Sequence, residues 1–180
     1  MRFPYLMAPL AVALFSQAAC SPRSDEELPP QHYQMGERIP LGHLIYTVIE
    51  RQWLPQIGEG MDARIPQNRF YLIRISAVNS GGGPAIVPTI SLVNDSGASF
   101  PEIDNGDRIA DFIGALRQIA PAETVQGNLV FDVQPKHYKL KLTDDDGKQV
   151  ALVDLPLSFD PDTPDVTTPL RDPNIDLTKK

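Results

Sequence analysis

Cysteine occurs once in 180 residues, at position 20, so no disulfide can form within the chain. Tryptophan also occurs once, as Trp53, and histidine three times, as His32, His43 and His137. Nucleophilic catalysis needs a Ser or Cys poised by a base. The chain has no Gly-x-Ser-x-Gly segment, and its one thiol lies in the leader. His32 falls before the folded region, while His43 and His137 flank predicted strands as surface or turn residues. No catalytic residue is assigned, and the expectation is a protein that is not an enzyme. Basic residues are outnumbered, 16 Lys+Arg against 23 Asp+Glu, for a formal net charge of -7, and they form no cluster. Phosphate backbones and anionic headgroups both demand Lys and Arg, so nucleic acid is excluded as a partner and charge does not draw the chain to lipid. Long apolar runs are missing apart from residues 3–15, "FPYLMAPLAVALF". A bilayer-crossing helix takes about 20 residues, and Pro4 and Pro9 also oppose a stable buried helix.

What that run does fit is a secretory leader, residues 1–19, opened by Arg2 and closed by the small residues Ser16, Ala18 and Ala19. The stretch "LFSQAACS" resembles the lipobox of bacterial lipoproteins. The resemblance implies cleavage before Cys20, thioether lipidation of its sulfur and acylation of the new amino terminus. It departs at Gln17, where a branched apolar residue is usual. Ser16 and Ala18 also suit an ordinary signal peptidase, which would leave Cys20 near a free terminus. Lipidation would consume a thiol that is otherwise unpaired in an oxidising compartment. Each buried acyl methylene adds about 0.8 kcal/mol of membrane affinity, and several chains together hold firmly.

After Cys20, residues 20–35 are polar and proline-bearing and read as a flexible tether. Residues 158–180, with repeated Asp-Pro and Thr-Pro pairs, read as a disordered tail. Residues 36–157 then form one domain, large enough to fold without disulfides. Its period is two. Tyr138, Leu140 and Leu142 alternate with Lys139 and Lys141, and the turn cluster 144–147 leads into "QVALVDLPL", so a β-hairpin is predicted. Tyr71, Ile73, Ile75 and Ala77 point inward, and "VQGNLVFDV" alternates with Val130 as its one exception. Pro88 directs the first of two short strands around Asn94–Gly97 towards an edge. Helical spacing shows only at Ile109, Phe112, Ile113 and Leu116, predicting at most one short helix near 108–118 capped by Asp107. The fold expected is all-β, an antiparallel two-sheet sandwich of about seven strands.

The succession "LGHLIYTVIERQWL", "NRFYLIRISAVNSGGGP", "ISLVNDSGASFPE", "APAETVQGNLVFDV" and "YKLKL" resembles a bacterial domain-of-unknown-function family with a telokin-like immunoglobulin fold, frequent in exported proteins and lipoproteins. Its marks here are Asn79, Gly81, Leu92, Gly97, Pro121, Gly127 and Phe131. They are structural, so the resemblance implies a fold and no catalytic residues. Metal and cofactor are both expected to be absent. "DDDG" and "EIDNGD" supply carboxylates without the alternation of a calcium loop, and Asp and Asn crowd turns for backbone reasons. "NSGGGP" lacks the Lys and Ser/Thr of a phosphate loop and reads as a mobile turn. The candidate contact is Trp53 with Leu54 and Ile57, at the head of a long loop 52–68. Trp53 is either packed over the core or an aromatic anchor for a partner, an envelope protein being the expected one. The expectation is thus a membrane-anchored, exported lipoprotein facing the periplasm or the cell surface, with a non-catalytic binding domain. The alternative is a structural or stress-related envelope lipoprotein without a specific ligand.

Overall fold

The computed structural model describes residues 29–114 and 117–157. The leader 1–19, Cys20, the first part of the expected tether and the tail 158–180 lie outside the described residues. The described residues form eleven strands: β1 (Gln31–Gln34), β2 (Ile39–Leu41), β3 (Leu44–Leu54), β4 (Arg69–Asn79), β5 (Ala85–Ile86), β6 (Ser91–Asn94), β7 (Ser99–Pro101), β8 (Gln118–Ile119), β9 (Thr124–Val133), β10 (Tyr138–Thr143) and β11 (Val150–Leu155). They form a five-stranded sheet β1-β11-β10-β6-β7, a four-stranded sheet β2-β3-β4-β9 and a small β5-β8 pair. The count exceeds seven because five of the strands are only two or three residues long or lie outside the expected domain.

Alternation builds the sandwich. Tyr71, Ile73, Ile75 and Ala77 of β4 meet Leu129, Phe131, Leu140, Leu142 and Val153 in one buried cluster between the sheets. The hairpin β10–β11 forms as expected, with Tyr138 opposite Leu155 and Thr143 opposite Val150. β6 pairs with both β10 and β7, so it is an inner strand; Pro88 lies just before it and not in the ladder. On β3 a bulge at Ile49 shifts the register between Val48 and Glu50. One residue is therefore added between the inward-facing Val48 and the inward-facing Arg51 and Trp53, which lie opposite Ile73 and Tyr71.

Two expectations are corrected. Residues 31–34 are not tether: they form β1, which adds in parallel to β11, the one parallel pairing in the larger sheet. Nor is there a helix among the described residues near 108–118; the sole helical turn described is the 3-10 turn Gly60–Asp62. Asp111 (φ 51°) and Gly114 (φ 71°) take left-handed conformations that end any helix. The segment instead runs as a strap along β9. Asn128 N–H donates to Asp111 O (2.8 Å), Ile113 N–H to Asn128 O (3.2 Å) and Ile103 N–H to Val130 O (2.8 Å). These bonds cover an edge strand that would otherwise stand open.

The strap also explains Val130. It faces outward yet is fully buried, in a second cluster with Ile57 and Phe70, packed by Leu54, Leu72, Ile103 and Ile109. Two loops fold over the outer face of the smaller sheet to make that cluster. Arg64 ties them together by donating to Asn105 O (2.9 Å) and Asp107 O (3.2 Å).

Candidate functional site

The two ends of the sandwich carry different chemistry. At one end β3 finishes, β4 begins and the β9–β10 loop turns. Here Trp53 lies flat on Tyr71, directly opposite it across the ladder, with ring centroids 4.0 Å apart and 11° between planes. Trp53 is half-buried and packs on the main core, so it serves the core while leaving part of its ring to solvent. Burial pushes the Tyr71 hydroxyl up to about 12, with Arg51 pulling the other way. Leu54 is half-buried. Ile57 is only 4% exposed and belongs to the second cluster, so it cannot be a free contact residue. The exposed apolar side chains of that loop are Met61 and Ile65, which sequence periodicity did not single out.

The outer edge of β3 is also unusual. β2 pairs with it only as far as Tyr46, and Gly36 N–H donates to Val48 O (2.9 Å). From Ile49 to Leu54 no backbone partner lies on that edge among the described residues. A shallow depression of about 180 Å³ adjoins it, lined by the outward-facing Glu50, Gln52, Leu72, Arg74 and Asn128 and bordered by Arg51. At the same end a cavity of about 270 Å³ opens beside Phe100 and Tyr138, whose rings meet edge-on at 5.8 Å; Asn68, Asn94, Asp132, Gln134 and Lys136 supply its polar groups.

At the opposite end a buried asparagine organises the turn after β4. Asn79 Nδ2 donates to Gly83 O (2.7 Å) and Ile119 O (2.9 Å), and its Oδ1 accepts from Gly81 N–H (2.8 Å). "NSGGGP" is therefore a pinned turn at Asn79, Gly81 and Gly83. A Cβ on Gly81 would come within 2.9 Å of the His43 ring. His43 Nδ1 lies 3.2 Å from Asp145 Oδ2, which holds the Asp145 carboxyl below its ordinary value. The Ser80 hydroxyl, next to this pair, donates to the His43 carbonyl (3.0 Å).

The acidic stretches serve the backbone. Asp144 Oδ1 accepts from Lys148 N–H (2.7 Å) and Gln149 N–H (3.1 Å), and Asn105 Oδ1 from Asp107 N–H (2.8 Å). Among the described residues no three His, Cys, Asp or Glu side chains converge on a point that could hold a metal ion, and no helix is long and apolar enough to cross a membrane.

The described residues thus define an all-β sandwich module with one aromatic, partly open end. Residues 33–151 match the Domain of unknown function DUF4352, and the chain belongs to that family. The yjhA protein from Bacillus subtilis has a similar fold, with a TM-score of 0.55 at 18% identity over 69% of this chain and 99% of that one. A secreted protein from Mycobacterium tuberculosis, MPT63, gives 0.54 at 12% identity over 71% of this chain and 98% of that one. A functionally unknown protein from Listeria monocytogenes gives 0.53 at 12% identity over 68% and 82%. None of the curated proteins matches the chain.

Proposed function

We propose that this chain is an exported lipoprotein, anchored through Cys20, whose immunoglobulin-like sandwich binds another envelope protein at its aromatic end without catalysing a reaction. The observation that carries the reading is the Trp53–Tyr71 stack beside the Ile49–Leu54 edge, which has no backbone partner among the described residues. An extended segment of a partner can add to such an edge through main-chain hydrogen bonds, with a half-exposed aromatic as its neighbouring anchor. The leader and lone cysteine support export and anchoring, and so does the likeness to a secreted protein. The non-catalytic part of the reading rests on the sequence, which has no Gly-x-Ser-x-Gly segment and carries its one thiol in the leader.

A photo-crosslinker placed at Gln52 in intact cells tests the contact. One dominant adduct is expected, lost with Trp53→Ala and retained with Trp53→Phe, which keeps the stack on Tyr71. Trp53→Ala should itself cost about 1–3 kcal/mol of stability, so the comparison is made well below both melting temperatures. A smear of adducts, unchanged by Trp53→Ala, would replace the reading with that of a scaffold lacking a specific ligand.

A further inference from the structure

His137 stands one residue before β10, and both of its ring nitrogens meet a carboxylate. Nδ1 is 3.0 Å from Asp95 Oδ1 and Nε2 is 2.9 Å from Asp154 Oδ1. A neutral imidazole has one N–H and one lone pair, so it can donate to one of these oxygens while setting lone pair against lone pair at the other. Only the imidazolium donates to both. Three separate elements meet in this contact: the β6–β7 turn through Asp95, the β9–β10 loop through His137, and β11 through Asp154. The two arms are unequal. The His137 and Asp154 side chains are 29% and 32% exposed, whereas Asp95 is 74% exposed.

The neighbouring charges are few. Lys139 of β10 pairs with Asp154 across the ladder, and Lys136 precedes His137 along the chain. On the remaining packed strands Asp154 meets the neutral Gln34 of β1, and Val93 of β6 lies opposite Lys139. The two carboxylates in contact with the ring favour its charge.

The same residues border the cavity at the aromatic end. Asn94, one wall, adjoins Asp95; Lys136 and Tyr138, another wall, flank His137. We propose that Asp95, His137 and Asp154 form a proton-operated clasp that fixes two walls of this cavity when the ring is charged and frees them when it is neutral. The proposal stands on the clasp and the cavity and is independent of the Trp53 contact. The exposed arm to Asp95 releases first, and the β6–β7 turn then parts from the β9–β10 loop. The ring pKa agrees in direction: the hydrogen bond to Asp95 raises it above the ordinary 6.5, burial works against this, and Asp154 adds to the rise. A raised folded value means the clasp is fully closed below 6.5 and is lost as pH rises through that folded value.

The test uses the full chain in detergent micelles. Deuterium exchange at the histidine ring C–H gives the His137 pKa, and amide exchange, corrected for its intrinsic pH dependence, follows segments 94–98 and 134–138. The ring should titrate above 6.5, and Asp95→Asn and Asp154→Asn should each lower its midpoint. Amide opening in both segments should increase several-fold as the ring loses its proton. In His137→Gln it should be high at every pH. Should that variant fail to fold, Asp95→Asn, a change at an exposed turn, carries the same comparison. A ring that titrates at or below the ordinary value, or segments whose exchange does not follow the ring, would overturn the clasp.

Discussion

Two buried polar side chains show how differently single residues can be accommodated. Asn79 is fully buried and each of its side-chain polar atoms is used. Glu102 is 5% exposed, and only Oε1 has a partner, Ile90 N–H at 2.9 Å; Oε2 is buried without one. Burial raises the Glu102 carboxyl above its ordinary 4.5, the Ile90 N–H pulls it down and Asp104 adds to the rise. With the folded value above the unfolded one, the folded state favours the proton. The associated stability is complete below 4.5 and is lost as pH climbs through the folded value. Glu102→Gln keeps an acceptor for Ile90 and removes the titration. Urea unfolding across pH 4–9 should show the wild type losing stability relative to the variant as pH rises, the titrations that both share cancelling in the difference. By about pH 8 the variant should be more stable by roughly 1 kcal/mol. Parallel pH profiles would mean that Glu102 finds a partner in solution.

Among the elements, β9 and its strap carry the main lesson about legibility. Alternation on β4, β9, β10 and β11 was legible because each strand has one face on the core and period two follows directly. The exception at Val130 was visible but not its cause, since the loops that cover it are distant in sequence. The spacing of Ile109, Phe112, Ile113 and Leu116 reads as one amphipathic face, and Leu116 lies outside the described residues. The other three go to three places: Ile109 to the second cluster, Ile113 to the main core, and Phe112 to the space a Cβ on Gly106 would fill. Trp53 and Leu54 are half-buried at the end of β3, Trp53 packing on the main core and Leu54 on the second cluster. Ile57 is buried, because its surroundings are set by Phe70 and Val130, which no local pattern discloses. The clasp at His137 was equally hidden, for its two carboxylates lie in other elements. Gly127 is the point where strap and strand come closest. A Cβ there would stand 2.3 Å from the Asp111 carbonyl oxygen, which cannot move without losing its bond from Asn128 N–H (2.8 Å). Gly127→Ala should therefore destabilise the domain by about 1–3 kcal/mol. It should also open the strap to limited proteolysis between residues 106 and 114, the second readout marking the strap as the part displaced.

For the whole molecule, the direction of β1 matters most. β1 runs parallel to β11 from Gln31, opposite Ala151, to Gln34, opposite Asp154. The chain thus enters the domain at the end that holds Asn79, His43 and Asp145, and Trp53 and the cavity lie at the other. An anchor at Cys20 would present the aromatic end away from the lipid surface, joined to β1 by a segment that spans at most about 35 Å. Because pairing among the described residues starts at Gln31, the anchor and the fold should be separable. Cys20→Ser should move the protein from the membrane fraction to the soluble exported fraction, and should leave the mature amino terminus without acyl mass. The melting temperature should not change, since the described strands and both core clusters are built from residues 31–155. If the wild type carries no acyl mass and is already soluble outside the cytosol, cleavage follows the ordinary signal-peptidase route at Ser16 and Ala18. The sandwich would then meet its partner untethered, at a local concentration set by diffusion and not by the length of a tether.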